Sequence, residues 1–389
     1  MKALIAILAV LAGVAASQAR IITVDDDGPA DFNSIQPAVE DANDGDTILV
    51  AAGTYYENIR VLRKEGINLI GAGADVTTID GSTGGSTNVV GYNTASGEIS
   101  GFTIANSAHF WRGVFASHST VTIRDNIIRH NYMGISISSD SDALIFGNRI
   151  INNAALYAAV RILDSNATII NNTVAENSGY GIYCRFGSGS IINNTITGNM
   201  RGIFTSPREE QVITNNIITQ NEYGITAAGG DESTVPLLII SYNDLWDNSE
   251  ADYWEFYGEI THPVDRPFSP SPGTGERHED PLFADAANGD YHLKSQAGRW
   301  DANDGGWTID DETSPCIDRG NPATPIGHEP FPNGARINMG AYGGTNEASK
   351  AYFGGLPCET IVAGDINGDC EVNYLDFRIM ASHWLEDRN

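Results

Sequence analysis

One short motif recurs along the middle of the chain at a nearly constant spacing. Asn occupies five positions that are 22, 24, 22 and 22 residues apart, namely Asn126, Asn148, Asn172, Asn194 and Asn216. A second Asn follows each of them after five residues, namely Asn131, Asn153, Asn177, Asn199 and Asn221. A repeat of this length builds a solenoid, because each unit can bury its apolar face only against the next unit.

The apolar positions of the repeat indicate which solenoid the chain forms. Between Val121 and Gly230 there are twenty Ile and only three Leu, which argues against a leucine-rich repeat. β-branched side chains favour strands, and helical solenoids have longer periods. The pattern therefore predicts an all-β fold, a parallel β-helix with three short strands and three turns per coil. Parallel crossovers are almost always right-handed, so a right-handed β-helix is expected.

The two Asn columns have a structural interpretation. Stacked coils place equivalent side chains about 4.8 Å apart along the solenoid. Asn at a turn tolerates left-handed backbone and can hydrogen-bond the amides of the neighbouring coil. Both columns are therefore predicted to hold the coils together.

The N-terminus and the charge indicate a secreted protein. Residues 1–19 read as a signal peptide, because Lys2 precedes an apolar run that ends in the small-residue site Ser17-Gln18-Ala19. The mature chain is expected to begin near Arg20 and to be secreted or attached to the cell surface. No later run is apolar enough for a membrane helix. A net charge of −28 argues against a nucleic-acid partner.

The first coils resemble a known group of proteins. After a strand at Ile21–Val24, DFNSIQPAVEDAN spaces Phe32, Ile35, Val39 and Ala42 on one helical face, which predicts a capping helix. The segments GTYYE, NLIGAGADVTTIDG and GFTI that follow resemble the pectin lyase-like superfamily of secreted β-helix proteins, particularly pectin esterases. The resemblance covers roughly residues 21–346 and implies a polysaccharide-directed protein with a β-helix domain over residues 20–346.

The end of that domain also resembles the superfamily. DPLFADAANGDYHL, TSPCIDRGNP and INMGAYGGT are similar to a C-terminal segment that forms the last coils and the cap of many secreted β-helix proteins. The Pro-rich stretch at 262–281 is interpreted as a surface excursion. Residues 347–363 are interpreted as a linker.

A candidate carbohydrate-binding face follows from strand alternation. In the recurring strand GIxIx, pairs such as Ile182 and Cys184 point inward, so the residue between them points outward. The outward column reads Phe115, Ser136, Arg161, Tyr183, Phe204, Thr226. Aromatic rings and guanidinium groups suit sugar rings and uronate carboxylates. The predicted carbohydrate-binding residues are Phe115, Arg161, Tyr183 and Phe204. Surface stacking without a ligand is the alternative.

Catalytic candidates lie beside that column. Asp140 and Asp164 occupy equivalent turns of adjacent coils and could act as a carboxylate pair, although solvated turn residues are the favoured interpretation. A lyase needs a base, and no Lys occurs between Lys64 and Lys294. The base candidates are Arg161, Arg185, Arg129 and His130. The polygalacturonase and esterase signatures are missing, so cleavage is left open.

A calcium-binding motif lies near the C-terminus. In GDINGDCEVNYLDF, oxygen-bearing residues fall at positions 1, 3, 5, 7, 9 and 12 of a loop, namely Asp365, Asn367, Asp369, Glu371, Asn373 and Asp376. This spacing suits Ca²⁺, with position 7 using its backbone carbonyl. The motif resembles a single repeat of a type I dockerin, which implies an attachment module over residues 364–389 and a cohesin-like partner. Position 6 is Cys370 rather than Gly, and a disulfide to Cys358 is left open.

Three classes of function fit these features. The leading class is a secreted, monomeric, polysaccharide-directed protein that binds or cleaves acidic glycans, as a lyase or hydrolase would. The alternative is a non-catalytic surface or adhesin-type scaffold. A NosD-like metal accessory protein is the third class, but five Met and no His cluster in the coils argue against copper.

Overall fold

A computed structural model describes residues 19–85, 87–154, 157–229, 238–257, 273–352, 364 and 372–383 of the chain. Most strands belong to three parallel sheets, which the chain visits in the order A, B, C in each coil. The result is a parallel β-helix of about nine turns, as the repeat predicts. Among the described residues, no helix is long and apolar enough to cross a membrane.

The three sheets run the length of the solenoid. The strands of sheet A are Ile21–Val24, Thr47–Val50, Ile67–Gly71, Ser96–Ser100, Thr120–Arg124, Asp142–Phe146, Asn166–Ile170, Ser188–Ile192, Gln211–Thr214 and Leu238–Ser241. Those of sheet B are Gly53–Tyr55, Thr77–Asp80, Thr103–Ala105, Ile127–Arg129, Arg149–Ile151, Thr173–Ala175, Thr195–Thr197, Ile217–Thr219 and Asp244–Trp246. Those of sheet C are Ile59–Leu62, Val90–Asn93, Arg112–Ser117, Met133–Ser138, Ala158–Leu163, Tyr180–Arg185, Arg201–Ser206, Tyr223–Gly229 and Ala251–Tyr257.

The core is a continuous column of β-branched side chains inside the coils. On sheet C, Val160 pairs with Ile182 and Ile182 pairs with Ile203, so identical positions stack in register. Each of these side chains is fully buried. Cys184 lies in the same interior and is buried, as predicted. Burial of this apolar surface is the main stabilising term of the solenoid.

Both Asn columns form buried ladders of hydrogen bonds. Asn194 donates through Nδ2 to the carbonyls of Ile169 and Ile192, and its Oδ1 accepts from the backbone N–H of Asn172. Asn172 Nδ2 also donates to Asn194 Oδ1 at 3.0 Å. The second column repeats this arrangement, with Asn177 Nδ2 3.0 Å from Asn199 Oδ1. The predicted structural role of the columns is confirmed.

The Gly of the repeat is required by close approach between coils. A Cβ atom on Gly181 would lie 2.8 Å from the carbonyl oxygen of Gly202, and one on Gly202 would lie 2.7 Å from that of Gly224. A larger residue would therefore push adjacent coils apart at the start of each sheet C strand.

A helix covers the N-terminal end of the solenoid, as predicted. Helix α1 (Ile35–Asp41) buries Ile35, Ala38 and Val39 against the first coils. Its N-terminal N–H groups are capped from another part of the chain, because the Glu57 carboxylate accepts from the backbone N–H groups of Ile35 and Gln36 at 2.7 and 2.9 Å. A carboxylate there also suits the positive end of the helix dipole.

The segment after the coils does not form the last coils that the resemblance implies. Residues 282–352, here named the flank segment, run back along the corner between sheets A and B. Asn171 Nδ2 donates to the Ala341 carbonyl at 2.8 Å, and Asn193 Nδ2 donates to the Asn338 carbonyl at 2.7 Å. The turn amides at this corner point sideways, so they offer hydrogen bonds to a chain that lies alongside.

The flank segment contains two antiparallel hairpins and a small core of its own. The hairpin strands are Phe283–Asp285 with Asp290–Leu293, and Arg299–Asp301 with Gly306–Thr308. Single 3₁₀ turns lie at Ala286–Asn288 in the first hairpin and at Gly81–Thr83 in the coils. Leu293, Cys316 and Met339 pack against Ile217 of the coils. A second helix, α2, spans Tyr374–His383.

The stretch interpreted as a surface excursion instead contacts the last coil where it is described. Arg277 pairs in parallel with Asp244 at the edge of sheet B, and Glu276 hydrogen-bonds Asn243. Most of the predicted linker and both Cys358 and Cys370 lie outside the described residues, as do residues 1–18 of the predicted signal peptide.

Candidate functional site

Sheet C presents a straight column of outward side chains, with one member from each coil. The column, here named the outer face, is set by the pairing register and consists of Phe115, Ser136, Arg161, Tyr183, Phe204, Thr226 and Trp254. Six inter-coil steps of about 4.8 Å make it about 29 Å long. The four predicted carbohydrate-binding residues therefore lie in this one column, and each is partly exposed.

The middle of the outer face is a packed group of aromatic rings. Tyr183 and Phe204 stack with their centroids 4.7 Å apart and their planes 5° from parallel. Tyr180 meets both rings edge-on, at 5.4 and 5.6 Å. The faces of Tyr183 and Phe204 thus pack on each other, and the rings form an apolar ridge rather than an open platform for a sugar ring.

Arg201 extends this ridge towards the end of the sheet. Its guanidinium group lies 5.3 Å from the ring centroid of Tyr180 and 5.0 Å from that of Tyr223, and Nη1 donates to the Tyr180 hydroxyl at 3.1 Å. Tyr223 in turn meets Trp254 edge-on at 5.1 Å. Cation–π contacts of this kind fix the long Arg side chain in place.

Two guanidinium groups, those of Arg112 and Arg161, lie at the other end of the outer face, on the strands that flank the strand of Ser136. Arg112 lies over the ring of Phe115 at 5.3 Å. Burial, and then the nearby charge of Arg161, lower the pKa of Arg112. Within the part of the chain that the structure describes, neither Arg112 nor Arg161 forms an ion pair with a carboxylate. The positive charges of Arg112 and Arg161, which no carboxylate of the described residues neutralises, favour an anionic ligand.

Several polar atoms of the outer face are buried without a protein partner. They are Arg112 Nε, Ser136 Oγ, Thr226 Oγ1 and Trp254 Nε1. Ser136 and Thr226 are fully buried although they point outward, because larger neighbours in the column cover them. Buried polar groups are normally hydrogen-bonded, and exceptions point to water or a ligand.

Part of this site was missed by the alternation pattern. Arg112, Tyr180, Arg201 and Tyr223 lie at the first position of their strands, three residues before the outward column. Contacts such as that between the rings of Tyr180 and Tyr183 show that this first residue lies on the same side of the sheet as the column. A comparison of the first strand position across the repeats would have identified these four residues in the sequence.

The catalytic candidates lie at the edge of the outer face and in the next turn. Asp140 and Asp164 occupy adjacent coils, and the Asp140 N–H donates to the Asp164 carbonyl at 2.8 Å. Both residues have left-handed backbone. Asp164 Oδ1 pairs with Arg208 Nη1 at 3.0 Å, and both side chains are exposed. These contacts fit the interpretation as turn residues.

Arg185 lies close to the same turn. The guanidinium groups of Arg185 and Arg208 lie 4.3 and 4.1 Å from the ring centroid of Phe186. Arg161, by contrast, belongs to the outer face itself. The structure therefore groups Asp164 and Arg185 through Arg208 and Phe186. Arg161 lies three residues before Asp164, on the strand that ends at Leu163.

Most of the predicted calcium ligands lie outside the described residues. They are Asp365, Asn367, Asp369 and Glu371. The two described ligands cap helix α2: the Asn373 N–H donates to Asp376 Oδ2 at 2.7 Å, and Asn373 Oδ1 accepts from the Leu375 N–H at 2.8 Å. This reciprocal arrangement is a capping box with Asp at its third helical position.

Comparison with known proteins identifies one family over most of the coils. The family described as NosD, periplasmic copper-binding protein, matches residues 39–185 and 156–253. A family described as disaggregatase related matches residues 269–320, at the end of the coils and the start of the flank segment. No curated protein matches the chain.

Among solved structures, pectate lyase Pel9A supports the fold. Pectate lyase Pel9A is 14% identical over 84% of this chain and 96% of its own, with a TM-score of 0.53. An alginate lyase from Paenibacillus sp. str. FPU-7 is 14% identical over 66% of this chain and 98% of its own, with a TM-score of 0.40. Pectin methylesterase from carrot is 15% identical over 62% and 88%, with a TM-score of 0.38.

The described residues do not fit a copper site. Their one group of three or more His, Cys, Asp or Glu side chains with ligand atoms close together is Asp25, Asp26 and Asp27, which offers only carboxylate oxygens. Copper prefers imidazole and sulfur ligands. The two described cysteines, Cys184 and Cys316, are both buried, one inside the coils and one in the flank core. The family match itself spans more than half of the 389 residues, and the chain therefore belongs to the NosD family of β-helix proteins.

Proposed function

We propose that this protein binds an acidic polysaccharide along the outer face of sheet C. The observation that carries the proposal is that Arg112 and Arg161, which form no ion pair among the described residues, lie at one end of a column of side chains about 29 Å long. A chain of sugar units laid along the column would supply both anionic groups and hydroxyls.

The charge distribution supports an acidic ligand. The chain has a net charge of −28, which repels polyanions in general. Five arginines are nevertheless gathered on the outer face, at the first or last position of its strands, or in the adjoining turn, namely Arg112, Arg161, Arg185, Arg201 and Arg208. Arg recognises carboxylates and sulfates with directional N–H donors, so this is the surface where an acidic glycan meets favourable contacts.

The aromatic ridge contributes a different kind of contact. Because Tyr183 and Phe204 stack on each other, a sugar would meet their edges and the Tyr183 hydroxyl instead of a ring face. The ridge excludes water beside the arginines, which strengthens their electrostatic contacts with a ligand. The arginines then determine which glycan is bound, and the ridge adds affinity without selecting charge.

Cleavage is the second candidate function, and the exposed position of Asp164 at the edge of the outer face is compatible with it. Asp164 is held by Arg208 at the edge of the outer face, where it could act on a glycan bound along the column. Asp140, Arg161 and Arg185 remain the other catalytic candidates. A non-catalytic scaffold requires none of these roles, so activity has to be measured together with binding.

The remaining roles are also part of the proposal. The protein is secreted through the signal peptide at residues 1–19. Residues 364–389 bind Ca²⁺ and attach the β-helix to a surface or to a cohesin-like partner. Support comes from the ligand spacing at Asp365–Asp376 and from the capped helix α2 that follows it.

The function is tested with a panel of oligosaccharides and the full chain. Calorimetric titration should give binding of oligogalacturonate, alginate or sulfated oligomers and no binding of neutral oligomers such as cellohexaose. The same mixtures are followed at 235 nm and for new reducing ends. Binding without new absorbance or new ends establishes a binding protein, whereas either signal establishes cleavage. No binding to any acidic oligomer, at low as well as physiological salt, would reject the proposal.

A further inference from the structure

The junction between the predicted signal peptide and the first strand belongs to the described fold. Arg20 directly precedes the strand Ile21–Val24, and its carbonyl accepts from the backbone N–H of Thr47 at 3.0 Å. Ala19 and Arg20 are both exposed. The peptide bond between these two residues therefore lies at the surface, immediately before the first strand of sheet A.

The backbone nitrogen of Arg20 is directed at a buried carboxylate. Its N–H donates to Asp46 Oδ1 at 2.9 Å. The other oxygen of Asp46 accepts from Arg20 Nε and from the backbone N–H of Asn43, both at 2.8 Å. The Asp46 side chain is fully buried, and a buried charge needs hydrogen bonds and an opposite charge close by. Arg20 supplies both to Asp46.

One guanidinium group serves two carboxylates at this place. Arg20 pairs through Nε with Asp46 and through Nη2 with Asp41, the latter at 2.7 Å. Asp41 is the last residue of helix α1, and Nη2 also donates to its carbonyl. Burial acts to raise the pKa of Asp46, but hydrogen bonds from Arg20 and Asn43 lower it, and the net shift is downward. Two negative charges therefore share one positive charge.

We propose that the bond between Ala19 and Arg20 is the processing site of this protein, and that the α-ammonium group which cleavage releases pairs with Asp46. This inference rests on the proposed secretion through residues 1–19. Hydrolysis breaks the C–N bond between the two residues. Water supplies the hydroxyl group of the new Ala19 carboxyl, and the Arg20 nitrogen becomes an amine. An α-amino group has an ordinary pKa of about 7.7–8.0, and a carboxylate within hydrogen-bond distance favours its protonated form.

Cleavage at this bond adds a positive charge where two carboxylates share one. In the uncleaved chain the Arg20 nitrogen is an amide, which donates to Asp46 without carrying a charge. After cleavage the same nitrogen is an ammonium, and charge-assisted hydrogen bonds are roughly twice as strong as neutral ones. Cleavage after Ala16, another small residue, would place the new amine three residues further along the chain from this position. Processing at Arg20 therefore tightens the cap that helix α1 and the first strands of sheet A form.

The experiment compares a chain that begins at Arg20 with a chain that carries Ser17-Gln18-Ala19 in front of it. Both are released from a cleavable N-terminal fusion, so that each starts at the stated residue. Hydrogen exchange in Ile35–Asp41 and Thr47–Val50 should be at least fivefold faster in the extended chain, because its α-ammonium group no longer pairs with Asp46. Local openings of a cap set exchange rates of this kind.

Two carboxylate variants identify the partner of the amine. In Asp46→Asn the mature and the extended chain should differ by less than twofold, because the variant has no charge to pair. In the control Asp27→Asn, which replaces an exposed carboxylate that follows the same strand, the fivefold difference should remain. Exchange in the mid-solenoid strand Thr195–Thr197 should be equal in all chains. If Asp46→Asn does not fold, the two unmodified chains decide the proposal.

Equal exchange in the two unmodified chains, or a difference that Asp46→Asn leaves in place, would overturn the pairing. Mass spectrometry of the protein exported by a bacterial host that expresses residues 1–389 should find Arg20 as the first residue. Any other first residue would overturn the assigned bond. A chain that is not exported would reject the proposed secretion, whereas the two purified chains test the pairing separately. Glycan binding by the outer face is independent of both results.

Discussion

Glu276 takes the place at the end of the Asn ladder that asparagines hold in the coils from Asn126 to Asn243. Its Oε1 accepts from the backbone N–H and from Nδ2 of Asn243, both at 3.1 Å. Asn216 receives the same pair of contacts from Asn194, at 2.9 and 3.0 Å. The last coil is thus closed by a carboxylate, whose other oxygen contacts the Tyr253 hydroxyl.

This substitution makes the end of the solenoid sensitive to pH. Burial raises the pKa of Glu276 above its usual range, although hydrogen bonds from Tyr253 and Asn243 oppose the shift. A raised pKa means that the folded state binds the proton more tightly, so this stabilisation is present at low pH and is lost as pH rises through the folded pKa. Glu276→Gln should remove that dependence. The melting temperatures of the unmodified protein and of Glu276→Gln, measured from pH 4 to pH 8, test this prediction. If the two proteins showed the same change of melting temperature with pH, the prediction would be contradicted.

The Asn ladder should dominate local stability. Asn194→Ala removes three Nδ2 donor contacts and leaves buried carbonyls and N–H groups unsatisfied, so we expect a loss of about 3 kcal/mol or more. Asn166→Ala replaces an exposed Asn in the sheet A strand Asn166–Ile170 and should lower the free energy of unfolding by less than about 0.5 kcal/mol. Denaturant unfolding of both variants measures the difference. Similar losses of stability in the two variants would show that the buried Asn column does not dominate local stability.

The outer face should select its ligand by charge. Arg161→Ala should weaken binding of oligogalacturonate at least fivefold and leave any residual binding of neutral oligomers unchanged, because it removes an uncompensated positive charge. Arg129→Ala, an exposed Arg on sheet B, is the control and should have little effect. Titration calorimetry at two salt concentrations tests this. If Arg129→Ala weakened binding as much as Arg161→Ala, general electrostatics would explain the affinity.

The aromatic ridge should contribute affinity without selecting charge. Phe204→Ala removes the ring that stacks on Tyr183 at 4.7 Å and should weaken acidic and sulfated oligomers alike, by about 1 kcal/mol or more. Because the rings lie outside the core, the melting temperature should change little. Fluorescence titration and calorimetry of Phe204→Ala measure both quantities. Unchanged affinity would place the bound glycan elsewhere, with the turn around Asp140 and Asp164 as the next position to examine.

The flank segment should loosen as pH rises towards neutrality. Burial raises the pKa of Glu329 to about 7, although the N–H groups of Asn338 and Gly344 bond its Oε1 and oppose the shift. The stabilisation that comes from protonation of Glu329 is fully present below the unfolded-state pKa of 4.5. It is lost as the pH rises to the folded-state pKa of about 7. Glu329→Gln should abolish this change. Hydrogen exchange at Met339–Ala341, corrected for the intrinsic pH dependence of exchange, reports it, and equal protection at pH 5 and 8 would contradict it.

Calcium should order the C-terminal region of the full chain. Asp365→Ala, or a chelator, should increase hydrogen exchange in helix α2 while leaving the coils unchanged, because metal binding and local folding are coupled. Asp285→Ala removes an acid from the flank and serves as the control. If hydrogen exchange in Tyr374–His383 were the same with and without calcium, the proposed calcium site would be excluded.

The candidate site could be predicted only in part. Alternation alone placed Phe115, Arg161, Tyr183 and Phe204 in one outward column, since side chains on a strand change sides at every residue. It did not predict that Tyr183 and Phe204 would stack on each other, because ring orientation depends on both neighbouring coils. Nor did it predict the burial of Ser136, which larger outward neighbours cover. The calcium ligands and the catalytic candidates remain predictions.

The coil can be predicted from the sequence, since a coil is a local structure repeated along the chain. Ile, Gly and Asn at fixed positions specify the strand interior, the close approach of coils and the buried ladder. The path of the flank segment, which joins Asn171 to Ala341 across 170 residues, is visible only in the folded chain. Contacts at that separation leave no period in the sequence, because they depend on which surfaces meet after the solenoid has formed.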